Sequence, residues 1–233
     1  MTSLVSSVIV PTLGLIGANM LYASPIKTVR KVARTRCIGN ANPWPWAMAT
    51  TLTYIWMIYA IALEDYFLFF SNFPGFLLSL YFTSTALASD VSDRQLRLLK
   101  VTLVVSLGVD QLTLMLSVMA FSGDAAVQQT LVGLVSVAQL LVFYMSPMAT
   151  LWNVVRNRDS SSLDPRLAAV TFLNGITWVA YGIYGRDPFL IYPNALGVFN
   201  ATVQIACCCA FPRLGDDGAD GSFDGDSDGL SED

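Results

Sequence analysis

The sequence predicts an all-α membrane protein whose seven transmembrane helices form two parallel three-helix-bundle repeats joined by a linker helix. Three observations support this fold class: the composition of the 233 residues, the alternation of basic loops and an internal repeat. Hydrophobic residues make up 54% of the chain and charged residues 13%, whereas a soluble domain carries about 25% charged residues. This composition is typical of a membrane protein.

Seven apolar stretches approach or reach the length of about 20 residues that a helix needs to cross a bilayer. They are predicted near residues 4–26, 43–63, 66–88, 98–120, 127–149, 167–184 and 189–211. No basic segment precedes the first stretch, so we expect it to remain as a helix rather than act as a cleaved signal peptide. The predicted divisions are a first repeat, a linker helix, a second repeat and a disordered acidic cytoplasmic tail, over residues 1–88, 89–122, 123–211 and 212–233.

The basic residues predict the orientation of the chain. Of the 13 lysines and arginines, all but Arg186 fall in or beside the links that follow the first, third, fifth and seventh helices. The positive-inside rule therefore places the N-terminus outside and the C-terminus in the cytoplasm. Their confinement to short links argues against nucleic acid as a partner. The plasma membrane is the expected location, with a vacuolar or other internal membrane as the alternative.

An internal repeat predicts the architecture. When the chain is shifted by 122 residues, 17 of 54 positions match without a gap. The matches include Tyr22 with Tyr144 and Asp65 with Asp187. Two three-helix units joined directly would face opposite ways, and one extra helix restores the same orientation. The fourth helix is predicted to supply that link.

The same shift pairs two tryptophans and two asparagines, Trp56 with Trp178 and Asn72 with Asn194. At a rise of about 1.5 Å per residue, all four lie at nearly the same depth in the membrane. Indole rings stack on sugar rings, and carboxamides both donate to and accept from hydroxyl groups. A tryptophan belt and hydrogen bonds between helices would explain any one of these residues. Duplication of the whole set favours a central site for a neutral polyol.

Four prolines predict a second feature at the cytoplasmic edge. Pro25 and Pro147 are expected to end the first and fifth helices, and Pro43 and Pro165 to begin the second and sixth. Proline removes a backbone donor and loosens the adjoining helical turn. The four residues are therefore candidates for an inner gate, with ordinary helix termination as the alternative.

On the outer side, Tyr59, Tyr181, Asp65 and Asp187 are predicted to cluster near the mouth of the central site. A hydrogen bond from a tyrosine to an aspartate across the axis could close this mouth. For Asp65, a solvated position in a loop is an equally good interpretation.

Several short motifs carry a family resemblance. In the second half they are Ser146-Pro147, Phe172-Leu173-Asn174-Gly175, Trp178-x-x-Tyr181-Gly182, Gly185-Arg186-Asp187-Pro188-Phe189 and Pro193-Asn194. In the first half they are Ser24-Pro25-x-x-Thr28, Pro45-Trp46, Trp56-x-x-Tyr59 and Asn72-x-x-Gly75. Over about residues 13–211, the chain resembles the SWEET family of sugar transporters, for which parallel repeats are established.

The resemblance implies facilitated, bidirectional passage of mono- or disaccharides by alternating access, without a cofactor, a metal ion or catalytic residues. It assigns substrate binding to Asn72, Asn194, Trp178 and Trp56. It assigns the outer gate to Tyr59 and Asp187, which the internal repeat extends to Tyr181. It assigns the inner gate to Pro25, Pro147, Pro165 and either Pro43 or Pro45. The expected partners are a sugar and the bilayer, and a homo-oligomer is an open alternative to a monomer.

The chain also departs from the family pattern. Leu52 stands where the family usually has a polar residue, whereas Asn174 fills the related place in the second half and joins the predicted binding residues. Leu21 and Phe143, each four residues before the first proline of its repeat, are predicted to line the cavity. Because both side chains are bulky, we expect a tight cavity that prefers monosaccharides.

Other function classes fit the sequence less well. A seven-helix receptor would not have the 122-residue repeat, and an amino-acid transporter of the proline–glutamine-loop type would have a Pro-Gln pair, which is absent. No nucleophile–base pair at membrane depth supports an enzyme. Asp110 in the fourth helix is an ionisable group inside the membrane, and we expect it to pair structurally with a neighbouring helix.

Overall fold

The computed structural model describes residues 4–121 and 123–213. A π-helical turn, Val5–Ile9, leads into eight α-helices: α1 (Val10–Ala23), α2 (Ile26–Thr35), α3 (Trp44–Ala62), α4 (Tyr66–Leu87), α5 (Asp93–Ala120), α6 (Ala125–Asn157), α7 (Pro165–Gly185) and α8 (Pro188–Ala210). Five helical segments are long and apolar enough to cross a membrane: the continuous stretch Val5–Thr35, α4, α5, α6 and α7. The described residues thus confirm a helical, multi-pass membrane protein.

Helix α3 does not reach that apolarity, because much of it faces protein rather than lipid. Its 19 residues include three threonines, and Thr50, Thr51 and Thr53 are all buried. Each of their hydroxyls donates to a backbone carbonyl of the preceding turn. A buried helix in this position needs no continuous lipid-facing surface, so its sequence can carry polar side chains that bond locally.

Two helices are longer than the apolar stretches predicted. Helix α5 begins at Asp93 rather than near residue 98, because the Ser92 hydroxyl and the Gln95 side chain form a capping box there. Such a box satisfies free backbone N–H groups with polar residues, which a hydropathy pattern does not register. Helix α6 continues to Asn157 instead of ending near residue 149.

The prediction that Pro147 ends the fifth transmembrane helix is wrong, since Pro147 lies inside α6. The helix continues because the residues beyond Pro147 are packed: Leu151 and Val154 are buried against Leu163 and Cys207. Proline within a transmembrane helix is tolerated where neighbouring helices support it. At the related position the helix does break, because α1 ends at Ala23 and Pro25 immediately precedes α2.

The helix neighbours follow a two-fold pattern. Helix α4 packs against α1 and α3, and α8 packs in the same way against α6 and α7. Across the middle of the molecule, α1 packs against α7 and α3 packs against α6. Helix α5 contacts α3 and α6. Helices α1, α3 and α4 thus form one group, and α6, α7 and α8 form a second. The central surfaces of α1, α3, α6 and α7 lie where these two groups of helices meet.

Polar contacts hold α5 in place. Asp110 is fully buried and accepts a hydrogen bond from the Gln139 amide of α6. From α3, the Tyr54 hydroxyl donates to Gln111 at 3.2 Å. The expectation that Asp110 pairs with a neighbouring helix is thus confirmed.

Two glycines, one on α4 and one on α8, allow tyrosines of α1 and α6 to approach. A Cβ atom on Gly75 would overlap the ring of Tyr22, and one on Gly197 would lie 2.6 Å from the Tyr144 hydroxyl. The two contacts are related by the 122-residue shift. Both pairs bring a long helix close to α4 or α8.

We expect Gly75→Ala to destabilise the fold by about 1–3 kcal/mol, the usual cost of overpacking a filled site. The measurement is the melting temperature of the detergent-solubilised protein, which is expected to fall by about 2–4 °C per kcal/mol. Gly108→Ala is the matched control, because no atom lies within 4 Å of a Cβ at that position. Equal melting temperatures for the two variants would contradict the assigned contact.

Candidate substrate site and gates

The two predicted tryptophans lie in one buried apolar cluster. Trp56 is 6% exposed and Trp178 is 5% exposed. Leu52 belongs to the same cluster, and Phe143 packs against it. The burial of both indoles disfavours the alternative of a lipid-facing belt. Their contact with sugar stays a prediction.

Each tryptophan packs edge-on against the tyrosine one helical turn later. The ring centroids of Trp56 and Tyr59 are 5.4 Å apart with an angle of 88° between the planes. Those of Trp178 and Tyr181 are 5.7 Å apart at 78°. Edge-to-face packing at this distance is a favourable aromatic arrangement. The indoles therefore contact the tyrosines of the predicted outer gate directly.

The two predicted asparagines bond locally rather than to each other. The Asn72 amide donates to the Leu68 carbonyl at 2.9 Å, and the Asn194 amide donates to the Leu190 carbonyl at 2.8 Å. The Tyr22 hydroxyl donates to Asn72 Oδ1 at 3.1 Å. In the second half, the Tyr144 hydroxyl instead donates to the backbone carbonyl before Asn194, at 3.5 Å.

Tyr22 and Tyr144 were missed as site residues. The repeat matched them, and that signal could have identified them, but it gave no indication of which groups they contact. The Tyr22 hydroxyl donates to the Asn72 oxygen, and within residues 4–121 and 123–213 no side chain donates to the Asn194 oxygen in the same way.

Asn174 has an unusual environment. Its Oδ1 atom is buried and has no hydrogen-bond partner among the described residues. The same atom lies 2.9 Å from the place where a Cβ on Gly17 would be. The related position in the first half is Leu52, which is 7% exposed. At this pair of related positions, the second half thus presents a free acceptor and the first half an aliphatic side chain.

Hydrogen bonds join the two groups of helices at the predicted outer gate. The Tyr59 hydroxyl lies 2.9 Å from both carboxylate oxygens of Asp187. The Tyr181 hydroxyl donates to Asp65 Oδ2 at 2.9 Å. The two pairs are related by the 122-residue shift. Of the two interpretations of Asp65, the structure favours pairing over a freely solvated position.

Both aspartates also cap helices, which fixes their orientation. Asp65 accepts from the Leu68 backbone N–H and Asp187 from that of Phe189. Burial raises the pKa of the Asp187 carboxyl above its ordinary value, although its hydrogen bonds act in the opposite direction. The position of each carboxyl is therefore fixed by the helix that it caps.

Gln129 makes a further contact at the predicted outer gate, one that the sequence did not predict. Its amide donates to the Tyr59 hydroxyl at 3.3 Å. The 122-residue shift pairs this residue with Ser7, so the repeat contains no signal for it. Gln129 therefore adds a hydrogen bond to the Tyr59–Asp187 pair. Only the packing of the helices reveals this contact.

The inner-gate candidates lie at or near the ends of helices, with one exception. Pro25 and Pro43 immediately precede α2 and α3, Pro45 lies in the first turn of α3, and Pro165 is the first residue of α7. Pro147 is the exception described above. Pro43 is buried and Pro45 is half-buried. Both stay candidates for the fourth proline of the predicted inner gate. Leu21 is half-buried near the end of α1.

Comparison with known proteins identifies the family. The sequence model of a family described as "Sugar efflux transporter for intercellular exchange" matches residues 9–87 and 130–214. The chain is 27% identical over 195 residues to "Bidirectional sugar transporter SWEET16" of Oryza sativa subsp. japonica, covering 83% of this chain and 59% of the rice protein. It is 25% identical over 211 residues to "Sugar transporter SWEET1" of Drosophila pseudoobscura pseudoobscura, covering 90% and 92%.

A solved structure shares the fold. The 3.7 Å structure of a eukaryotic SWEET transporter superposes with a TM-score of 0.77 at 24% sequence identity, covering 89% of this chain and 97% of that chain. The family match covers most of the chain and includes the tryptophans, asparagines and Tyr–Asp pairs described above. The chain therefore belongs to the SWEET family of sugar transporters.

Proposed function

We propose that this protein is a facilitative, bidirectional sugar transporter that works by alternating access and prefers monosaccharides. One observation carries the proposal: two related Tyr–Asp hydrogen bonds, Tyr59 with Asp187 and Tyr181 with Asp65, close the outer side beside two buried indoles. Alternating access requires a gate that joins two moving parts on one side of a central site. Each of these bonds joins a tyrosine of one group of helices to an aspartate of the other.

The moving parts are two parallel three-helix repeats, with α5 as the linker in a 3+1+3 arrangement. The two-fold pattern of helix contacts supports this division. So does the family match, which covers residues 9–87 and 130–214 and leaves out the whole of α5. The proposed units are residues 1–88, 89–122 and 123–211, with a cytoplasmic tail over 212–233. Most of that tail, from residue 214 onwards, lies outside the described residues.

The central chamber is proposed to bind a sugar without using formal charge. Trp56 and Trp178 supply faces for the C–H surfaces of the ring. Asn72, Asn194 and Asn174 supply amides for the hydroxyl groups. The free acceptor on Asn174 supports this assignment, because a buried oxygen without a donor is costly and a sugar hydroxyl would satisfy it.

The transport cycle follows from the gates. Breaking the Tyr59–Asp187 and Tyr181–Asp65 bonds opens the outer side, and the proline-containing helix ends allow the inner side to close. The break between α1 and α2 at Pro25 supplies one hinge. Leu52 and Phe143 pack within or against the cluster that contains both indoles, which narrows the chamber and favours a single ring over two.

The proposed orientation places the N-terminus outside and the C-terminus in the cytoplasm, because the basic links alternate. The plasma membrane is the proposed location. The functional test uses a panel of sugars with one or two rings.

Uptake of labelled glucose, fructose and sucrose into proteoliposomes tests the function. We expect at least one hexose to enter well above the background of protein-free liposomes, and sucrose to enter more slowly. Rapid sucrose entry without hexose entry would overturn the proposed size preference. If none of the three sugars entered above background, the proposed transport function would be wrong.

A further inference from the structure

The cytoplasmic helix α2 has a cationic face that the fold does not use. Four residues spaced as one side of a helix, Lys27, Arg30, Lys31 and Arg34, line an open groove of about 360 Å³ together with Thr35. All four are exposed. None of the four has an ion-pair partner among residues 4–121 and 123–213.

The opposite face of α2 is packed into protein. Val29 is 0% exposed and Val32 is 2% exposed, in a cluster that includes Phe82 of α4 and Leu99 of α5. Helix α2 is therefore held against the bundle by its apolar side and cannot insert that side into lipid. Its cations point away from the packed surface.

The repeat shows that most of this charge is specific to the first half. The 122-residue shift pairs Lys27 with Ala149, Arg30 with Trp152 and Lys31 with Asn153, and only Arg34 matches an arginine. The second half folds without those cations, and there the same stretch simply continues α6. The three extra cations are therefore not needed for the three-helix unit itself.

The chain contains a segment of opposite charge. Residues 216–233 include eight of its 17 acidic residues and no lysine or arginine. The segment follows α8, whose end lies on the same side of the membrane as α2, since six membrane crossings separate the two. The density of acidic residues in the segment complements the four cations of α2.

The segment starts from a fixed point and is long enough to reach α2. The Ser160 backbone N–H donates to the Pro212 carbonyl at 2.9 Å, and its hydroxyl donates to the Phe211 carbonyl at 3.0 Å. These bonds hold the chain after α8 against the link between α6 and α7. Twenty residues span about 25 Å as a flexible chain and over 60 Å when extended. Helix axes lie about 8–10 Å apart, so α2 is within reach.

We propose that the acidic segment 216–233 binds the cationic face of α2, as an intramolecular electrostatic contact. Each exposed charge pair is weak, but tethering supplies an effective concentration of about millimolar, and several pairs act together. Because α2 directly follows the hinge at Pro25, the contact restrains the cytoplasmic arm of α1.

Cross-linking in the full-length chain tests the contact. Cys37 is exposed just beyond α2, and Ser227→Cys places a second thiol among the acidic residues. Cys208 and Cys209 are replaced with alanine, and the chain without Ser227→Cys gives the background. A short bismaleimide is applied in phosphatidylcholine liposomes, and the Cys37–residue 227 product is quantified by mass spectrometry.

We expect the cross-link yield to fall about fivefold when salt is raised to about 1 M, where the Debye length is about 3 Å. The combined changes Lys27→Gln, Arg30→Gln, Lys31→Gln and Arg34→Gln are expected to lower the yield by a similar factor. The matched control neutralises Arg156, Arg158 and Arg166 on the second half and is expected to leave the yield within about twofold.

Two outcomes would overturn the proposal. Equal yields in the α2 variant and the matched control would mean that the acidic segment has no preference for α2. Loss of the product when half of the phosphatidylcholine is replaced with phosphatidylserine would mean that lipid headgroups, not the acidic segment, hold this surface. The readout does not require sugar transport, so its failure is separate from failure of the proposed function.

Discussion

Replacing Asn194 with alanine is expected to lower hexose uptake into proteoliposomes by about 30-fold, the equivalent of two hydrogen bonds of about 1 kcal/mol each. The Asn194 amide uses one N–H on the Leu190 carbonyl of its own helix, which leaves its oxygen and second N–H for a sugar hydroxyl. Asn194 has no tyrosine partner like the one Asn72 has. The initial rate of labelled hexose uptake measures the effect.

Asn19→Ala is the matched control. The Asn19 amide makes the same type of bond, to the Leu15 carbonyl at 2.8 Å, on α1. Loss of that local bond should affect stability as much as it does for Asn194, without loss of a substrate contact. If Asn194→Ala transported at the rate of Asn19→Ala, Asn194 would not be a binding residue.

Tyr59→Phe is expected to shift the protein towards its outward-open state by about 2 kcal/mol, or about 30-fold in population. Phenylalanine keeps the aromatic packing against Trp56 but removes the hydrogen bond to Asp187. Tyr59 is fully buried and Asp187 is 6% exposed, so the loss falls in the range of about 1.5–3 kcal/mol for a bond to a charged group.

Accessibility of a buried cysteine measures that shift. Ser136 lies on α6 two turns after Gln129 and is 0% exposed. The substitution Ser136→Cys therefore places a thiol at a buried position. In a chain whose four native cysteines are replaced with alanine, we expect a membrane-impermeant maleimide added outside to label it much faster when Tyr59→Phe is present.

Tyr181→Phe supplies the internal comparison. Tyr181 and Asp65 are only half-buried, and solvent weakens a charged hydrogen bond at such a site. Labelling of Ser136→Cys is expected to speed up less in the Tyr181→Phe variant than in the Tyr59→Phe variant. Unchanged labelling in Tyr59→Phe would show that the Tyr59–Asp187 bond does not hold the outer side closed.

The residues of the candidate site could be predicted from the sequence where the internal repeat carries the same residue type in both halves. Trp56 and Trp178 match at a fixed shift, and their burial agrees with the predicted central position. The Tyr–Asp partners were also predictable, because depth along a helix follows from residue number. Depth does not reveal the direction of a side chain around the helix axis. That is why the contacts of Tyr22 and Gln129 were missed.

Sequence alone thus determined the membrane-protein class, the approximate positions of the helices and the family. These features follow from apolar length, from residue identity at repeated positions and from motif spacing. Only the tertiary structure decided that α6 continues through Pro147, that Gln129 joins the Tyr59–Asp187 pair and that Asn174 keeps a free acceptor. Each of these depends on which neighbouring atoms satisfy a hydrogen bond or fill a space. Side chains far apart in the sequence supply those atoms, and no local pattern records them.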